Sequence, residues 1–191
     1  MLEEKDAVDK QFYRDADLCP FNVLKLNEQL SVISFLPDPM YVQGDFVWED
    51  DVQDTKVNFV ESSNGRFLLH KNVDLNQEWN YVEGDEKKRP MNNNVVIGVD
   101  PFDHKAVDIV DQKRMSMGGC YGFHKFDGLD IDLSETFLFE YLARPDDPDD
   151  FYEDCLMAAY FFGGKVLVEN NKSGFINHFD RRGYSSCLIR P

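Results

Sequence analysis

The stretch NVVIGVDPFDHKAVD, residues 94–108, is the segment on which the predicted fold depends. Its first part, residues 94–100, is an apolar run of the kind expected for a strand covered on both faces of a sheet. The run ends in Asp100, and Pro101 and Asp103 follow closely. A carboxylate at the end of a buried strand is costly unless a loop backbone, a basic residue or a metal ion pairs with it. The stretch therefore predicts a core strand with a polar site at its end.

The sequence after this strand predicts an α/β domain. Acids crowd the start of residues 146–164, Pro148 lies near their beginning, and two glycines end them, which is typical of a helix. The whole order is β-β-β-α-β-α-β, which favours a mixed sheet flanked by helices. The predicted strands after the first are 117–126, 135–145, 165–170 and 185–190, and the predicted helices are 146–164 and 173–184.

The sequence before residue 91 predicts a small appendage. Residues 19–36 have helical spacing of leucines, with Asn22 as N-cap and Pro37 as terminator. Three short strands are predicted, and Asn64-Gly65 predicts a hairpin turn between the last two of them. We therefore divide the chain into residues 1–90, a helix and β-hairpin appendage with a polar linker, and residues 91–191, the α/β domain. The three strands are 45–50, 56–61 and 65–71, and the linker is 72–94.

Composition excludes several classes of protein. The chain has 191 residues, 42% of them hydrophobic, which is enough for a core. No apolar run reaches the roughly 18 residues that a membrane span needs, and the polar N-terminus is unlike a secretory signal. The four cysteines are widely spaced, which fits a reducing compartment. A formal charge of −16 counts against unaided binding to nucleic acid, whose affinity comes from neutralised phosphates.

A second acid follows a second predicted core strand. Glu169 ends the strand that comes after the long helix, just as Asp100 ends the first strand. If these strands lie side by side and parallel, both carboxylates emerge at the same edge of the sheet, where α/β proteins place their sites. Two neighbouring carboxylates suit Mg²⁺ or Mn²⁺.

These segments resemble the nuclease domain of the large terminase subunit of tailed bacteriophages. The resemblance rests on VVIGVDPFDHKA, on GGKVLVENNKSGFINHF and on RRGY, and it extends over roughly residues 20–191. It implies an RNase H-like fold with a metal-binding aspartate at the end of the first strand, a second aspartate shortly after, and a glutamate at the end of a later strand. Asp100, Asp103 and Glu169 match these three positions, and Asp108 is a rival for the second.

The resemblance implies metal-assisted hydrolysis of DNA, with Asp100, Glu169 and Asp103 as both the catalytic and the metal-binding residues. The implied cofactor is Mg²⁺ or Mn²⁺, and the implied substrate is concatemeric double-stranded DNA in the cytoplasm of a bacterial host. The implied protein partners are the ATPase motor domain, the portal and the small terminase subunit, with no membrane.

The sequence departs from a complete terminase in two ways. It contains no G-x-x-x-x-G-K-[ST] motif, so the ATPase motor is absent. No residue matches the further aspartate that the family carries on a later helix. The alternative is therefore a truncated, inactive RNase H-like domain that serves as an interaction module of the packaging motor. Two further alternatives are a Holliday-junction resolvase, which would be more basic, and a sugar or acetate kinase-like ATPase, which would need D-x-G-x-[ST].

Other charged residues receive weaker interpretations. The acids at 146, 147, 149 and 150 are interpreted as the favourable first turn of a helix rather than as a metal cluster. Glu153 and Asp154 on that helix are interpreted as solvated acids. His104 is a candidate for orienting water or contacting phosphate. Candidate phosphate contacts are Lys105, Lys113, Arg114, Lys172, Arg181 and Arg182.

Overall fold

The structure, a computed structural model, describes residues 23–35, 39–76, 92–102, 116–129, 131–169 and 173–189. The chain divides into two compact units, residues 1–39 and residues 40–191. Helix α1, Val23–Ser34, belongs to the first unit and confirms the helix predicted over 19–36. Among the described residues, no helix is long and apolar enough to cross a membrane.

The second unit is built on one seven-stranded mixed sheet in the order β2-β1-β3-β6-β5-β4-β7. Two helices follow the sixth and seventh strands in the chain. The strands are β1 Tyr41–Trp48, β2 Val57–Glu61, β3 Phe67–His70, β4 Val95–Asp100, β5 Gly118–His124, β6 Thr136–Ala143 and β7 Lys165–Val168. The helices are α2 Pro148–Phe162 and α3 Ser173–Arg181.

The topology from β4 onwards confirms the predicted α/β class. Strands β4, β5 and β6 are antiparallel neighbours, and α2 then returns the chain so that β7 runs parallel to β4. This arrangement is consistent with an RNase H-like fold. The strand predicted over 185–190 is reduced to a 3₁₀ turn, Ser185–Cys187, and one parallel bridge between Leu188 and Val166.

The N-terminal strands differ from the predicted appendage. Strand β3 pairs with β6, so residues 41–70 extend the same sheet as the residues after 91. The two compact units divide between residues 39 and 40 rather than near residue 90. The predicted hairpin is also wrong, because β2 and β3 both pair with β1, on opposite sides of it.

Two glycines explain why the Asn64-Gly65 turn does not form a hairpin. The end of β2 and the start of β3 are both in register with Gly44, so the chain crosses over β1 at that residue. A Cβ on Gly65 would lie 2.3 Å from the Gly44 Cα, and a Cβ on Gly44 would lie 2.4 Å from the carbonyl oxygen of Val60. The crossing therefore depends on the absence of both side chains, which lets the two backbones approach closely. Gln43 closes it by donating from Nε2 to the Gly65 carbonyl at 2.6 Å.

Helix α2 forms the core against one face of the sheet. Asp147 caps it by accepting the Asp149 N–H, Pro148 occupies its first turn, and Gly163 ends it with a φ of 59°. Phe151 stacks on Tyr141 of β6, with ring centroids 5.1 Å apart, and Phe162 stacks on Phe139 at 5.3 Å. Large rings of this kind supply most of the apolar area that such a core buries.

Alternation along the strands defines a second face, which we call the outer face. In β4, Val95, Ile97 and Val99 are buried on the side of α2, so Val96, Gly98 and Asp100 lie on the opposite side. The same alternation holds in β5, because a Cβ on Gly118 would meet Phe151 of α2. The outer face therefore carries the side chains that alternate with the core positions.

Candidate active site

Asp100 and Glu169 lie next to each other on neighbouring parallel strands. Val99 is in register with Val168, and the Glu169 N–H donates to the Val99 carbonyl at 3.2 Å. The next pair in this register is Asp100 with Glu169, at the carboxyl ends of β4 and β7. Both residues are exposed, and alternation places both on the outer face. The structure thus has the parallel pairing that the sequence analysis required for the two acids.

Two residues near Asp100 on the outer face are glycines, which have no side chains. Gly98 precedes it by two residues on the same face, and a Cβ there would have no atom within 4 Å. Gly119 of β5 is in register with Asp100, and a Cβ there would lie 3.3 Å from Tyr121. Gly98 therefore has open space beside it on the face that carries the two carboxylates, whereas the position beside Gly119 is filled by Tyr121 and Leu142.

The donors present fit a cation that prefers oxygen ligands. Among the described residues, no hydrogen bond or ion pair neutralises the carboxylate of Asp100 or of Glu169. Like charges on directly opposite residues of neighbouring strands repel, and a divalent cation between them would remove that repulsion. Across the described residues, no group of three metal-ligating side chains is found. Asp103 and its rival Asp108 lie outside the described residues, as does His104.

The backbone beyond Asp100 is held by contacts that the sequence analysis did not predict. Tyr152 of α2 donates its hydroxyl to the Phe102 carbonyl at 2.7 Å. The Arg144 guanidinium lies 4.3 Å from the centre of the Phe102 ring and also donates to the Ser116 carbonyl. Phe102 and Ser116 are thereby held by side chains of α2 and of the residue after β6. Tyr152 and Phe102 are 50 residues apart and Arg144 and Ser116 are 28 apart, so no local pattern in the sequence predicts these contacts.

The two acids of α2 that we interpreted as solvated are in fact paired, so that interpretation is wrong. Glu153 accepts from Trp48 Nε1 at 2.9 Å and from Arg182 Nε and Nη2 at 3.1 Å each, and His178 Nε2 lies 2.9 Å from it. Burial alone would raise the pKa of Glu153, but the hydrogen bonds from His178, Arg182 and Trp48 outweigh it and lower the pKa to about 2. We call these four residues the Glu153 network.

Asp154 is paired on the other side of α2. Arg66 forms a two-pronged ion pair with it at 2.5 and 2.9 Å, and the Tyr141 hydroxyl donates to it at 2.5 Å. Burial raises the pKa of Asp154 to about 6, against the opposing effects of Tyr141 and Arg66. Both acids therefore fasten α2 to the sheet, and neither lies at the strand ends that carry Asp100 and Glu169.

Of the other charged residues singled out in the sequence, some form ion pairs or cap a helix within the fold, and others lie outside the described residues. Arg182 is ion-paired with Glu153 and with Asp54, and its side chain is only 18% exposed, so this candidate phosphate contact serves packing instead. Arg181 is exposed and lies 3.5 Å from Asp149. Asp147 and Asp149 occupy the cap and first turn of α2, as predicted. The candidates outside the described residues are Lys105, Lys113, Arg114 and Lys172.

Comparisons with known proteins give no match. No protein-family model matches the chain, and no curated protein or solved structure matches it. The likeness to terminase nucleases therefore rests on the quoted motifs alone.

Proposed function

We propose that this chain is the metal-dependent endonuclease domain of a phage DNA-packaging terminase large subunit, which cleaves concatemeric DNA. The observation that carries the proposal is the side-by-side placement of Asp100 and Glu169 on adjacent parallel strands. The mixed sheet and the order of the motifs support it.

Asp100 and Glu169 would hold the cation, with Asp103 as the proposed third ligand. Mg²⁺ or Mn²⁺ bound there supplies an activated water and stabilises the developing charge on the leaving oxygen. Asp100 is proposed as the main ligand of the cation. Its strand, β4, pairs with β5 on one side and β7 on the other, and both neighbours fix the position of its backbone.

The proposed substrate is double-stranded DNA, delivered by other parts of the packaging machine. A chain of formal charge −16 repels phosphate, so the ATPase motor, the portal and the small terminase subunit are proposed to bring DNA to it. The same charge supports the alternative, a catalytically inactive interaction module. The alternative is also favoured because, among the described residues, no third metal-ligating side chain joins Asp100 and Glu169.

The test is a calorimetric titration of Mn²⁺ into the full chain. Asp100→Asn and Glu169→Gln are compared with wild type, and Glu61→Gln is the matched control because Glu61 is exposed at the end of β2. We expect saturable binding in wild type and in the control, and at least a tenfold weaker association in both site variants. Nicking of supercoiled plasmid with Mn²⁺ then separates the two functions. Binding with nicking supports the nuclease, whereas binding without nicking supports the inactive module. No binding up to millimolar Mn²⁺ would end the proposal of a metal site.

A further inference from the structure

A row of residues crosses the outer face on five neighbouring strands, and Gly98 leaves a gap between its side chains. Leu68, Glu140, Tyr121, Gly98 and Leu167 are successive register partners on β3, β6, β5, β4 and β7. We call them the Glu140 row. Neighbouring strands lie about 4.8 Å apart, so the row is about 19 Å long. Its ends are apolar and open to solvent, since Leu68 is 39% and Leu167 53% exposed.

The rows on either side add exposed apolar area. Phe137 is 54% and Leu142 45% exposed, and both lie on the outer face of β6, Phe137 because a register shift in the pairing with β5 sets it opposite Phe123. The Phe137 ring lies 5.3 Å from that of Phe123 and 6.4 Å from that of Tyr121. Exposed apolar side chains that cluster on one face are a feature of surfaces that bind other molecules.

Glu140 places a negative charge in the middle of this row, so a ligand that covers the row needs a positive charge at that point. It is half-buried between Leu68 and Tyr121, and among the described residues none donates a hydrogen bond to its carboxylate. Its charge acts on two tyrosines, because burial and then Glu140 raise the pKa of Tyr41 and of Tyr121. A carboxylate flanked by tyrosine rings is suited to a lysine or arginine, which gains both an ion pair and contact with the ring faces.

We propose that the outer face binds an amphipathic helix of a partner protein, with its apolar side on the Glu140 row and a lysine or arginine directed at Glu140. A helix rises 1.5 Å per residue, so about 13 residues match the length of the row. Amphipathic helices dock on apolar surfaces through residues at helical spacing, and charge complementarity selects among them.

Charge disfavours two other occupants of the Glu140 row. The carboxylate of Glu140 repels the phosphates of a nucleic acid laid along the row. A second copy of this chain would bring the same acids against each other, at a formal charge of −16 per chain. The face therefore favours a basic partner.

The experiment uses the full chain and a fluorescent helical peptide of about 14 residues, made of leucine and lysine at amphipathic spacing. Anisotropy is measured at about 0.15 M salt, where long-range attraction is screened. A peptide with the lysines replaced by glutamate, and one with the leucines replaced by serine, are the ligand controls. The chain variants are Glu140→Gln and Phe137→Ser, with Glu61→Gln and Val52→Ser as matched exposed controls.

We expect the leucine–lysine peptide to bind wild type and both control variants alike. Binding should weaken about tenfold or more in Glu140→Gln and in Phe137→Ser, and both control peptides should fail to bind. Circular dichroism checks that each variant is folded. An equal loss in Glu61→Gln and Glu140→Gln would overturn the proposal, because it would show attraction by bulk charge. The proposal would also fail if the leucine–lysine peptide did not bind wild type. It would fail as well if a single-stranded oligonucleotide bound wild type and lost affinity in Phe137→Ser, or if wild type formed a dimer that Phe137→Ser dissociated, because the face would then bind nucleic acid or a second copy of the chain.

Discussion

The Glu153 network allows a quantitative prediction about stability. Glu153→Gln removes the charge that Arg182 and His178 face, while it keeps the size of the side chain. The pKa of this carboxyl falls from 4.5 to about 2 in the folded chain, which corresponds to about 3.4 kcal/mol at neutral pH. Glu153 remains 17% exposed, so solvent screens part of this, and we expect a loss of about 2 kcal/mol.

The sign of the pH dependence follows from the direction of the shift. A carboxyl with a depressed pKa stabilises the fold above its unfolded pKa of 4.5, and this stabilisation disappears as the pH falls towards about 2. The difference between wild type and Glu153→Gln should therefore shrink to less than half between pH 7 and pH 3.

Urea unfolding at both pH values measures the two free energies. Glu61→Gln, an exposed acid at the end of β2, is the control and should change the free energy of unfolding by less than about 0.5 kcal/mol. A loss in Glu153→Gln as small as in that control, or a loss that is the same at pH 3 as at pH 7, would show that the charge of Glu153 does not stabilise the fold.

Two further predictions concern the crossing over β1 and the strand-end acids. Gly65→Ala should cost more than about 2 kcal/mol in urea unfolding, because its Cβ would lie 2.3 Å from Gly44, whereas Gly128→Ala, with nothing within 4 Å, should be close to neutral. Equal effects of the two substitutions would contradict the crossing. Asp100→Asn, measured in a chelator, should leave stability unchanged or raise it by up to about 1 kcal/mol, because it relieves repulsion with Glu169. A clear loss of stability would mean that Asp100 is a structural residue.

The part of the fold that was predictable from sequence is the part with local signals. The apolar run before Asp100 predicted β4, and proline, acids and glycines around residues 146–164 predicted α2. The crossing at Gly65 was missed because the same dipeptide suits a hairpin, and only the long-range pairing with β1 decides between them. The pairing of Glu153 and Asp154 was missed for a related reason, since Trp48 and Arg66 approach them from 105 and 88 residues away.

The acids of this chain fall into two groups that differ in what they contact. Asp154 is buried and Glu153 half-buried, and both accept hydrogen bonds from arginine and from an aromatic side chain, so their charges are compensated within the fold. Asp100, Glu169 and Glu140 share the outer face, and no described residue compensates their carboxylates. Like charges that face each other across neighbouring strands reduce stability, and a ligand of opposite charge would remove that cost. A divalent cation fits the open pair at the strand ends, whereas a basic side chain fits the carboxylate set among apolar and aromatic neighbours.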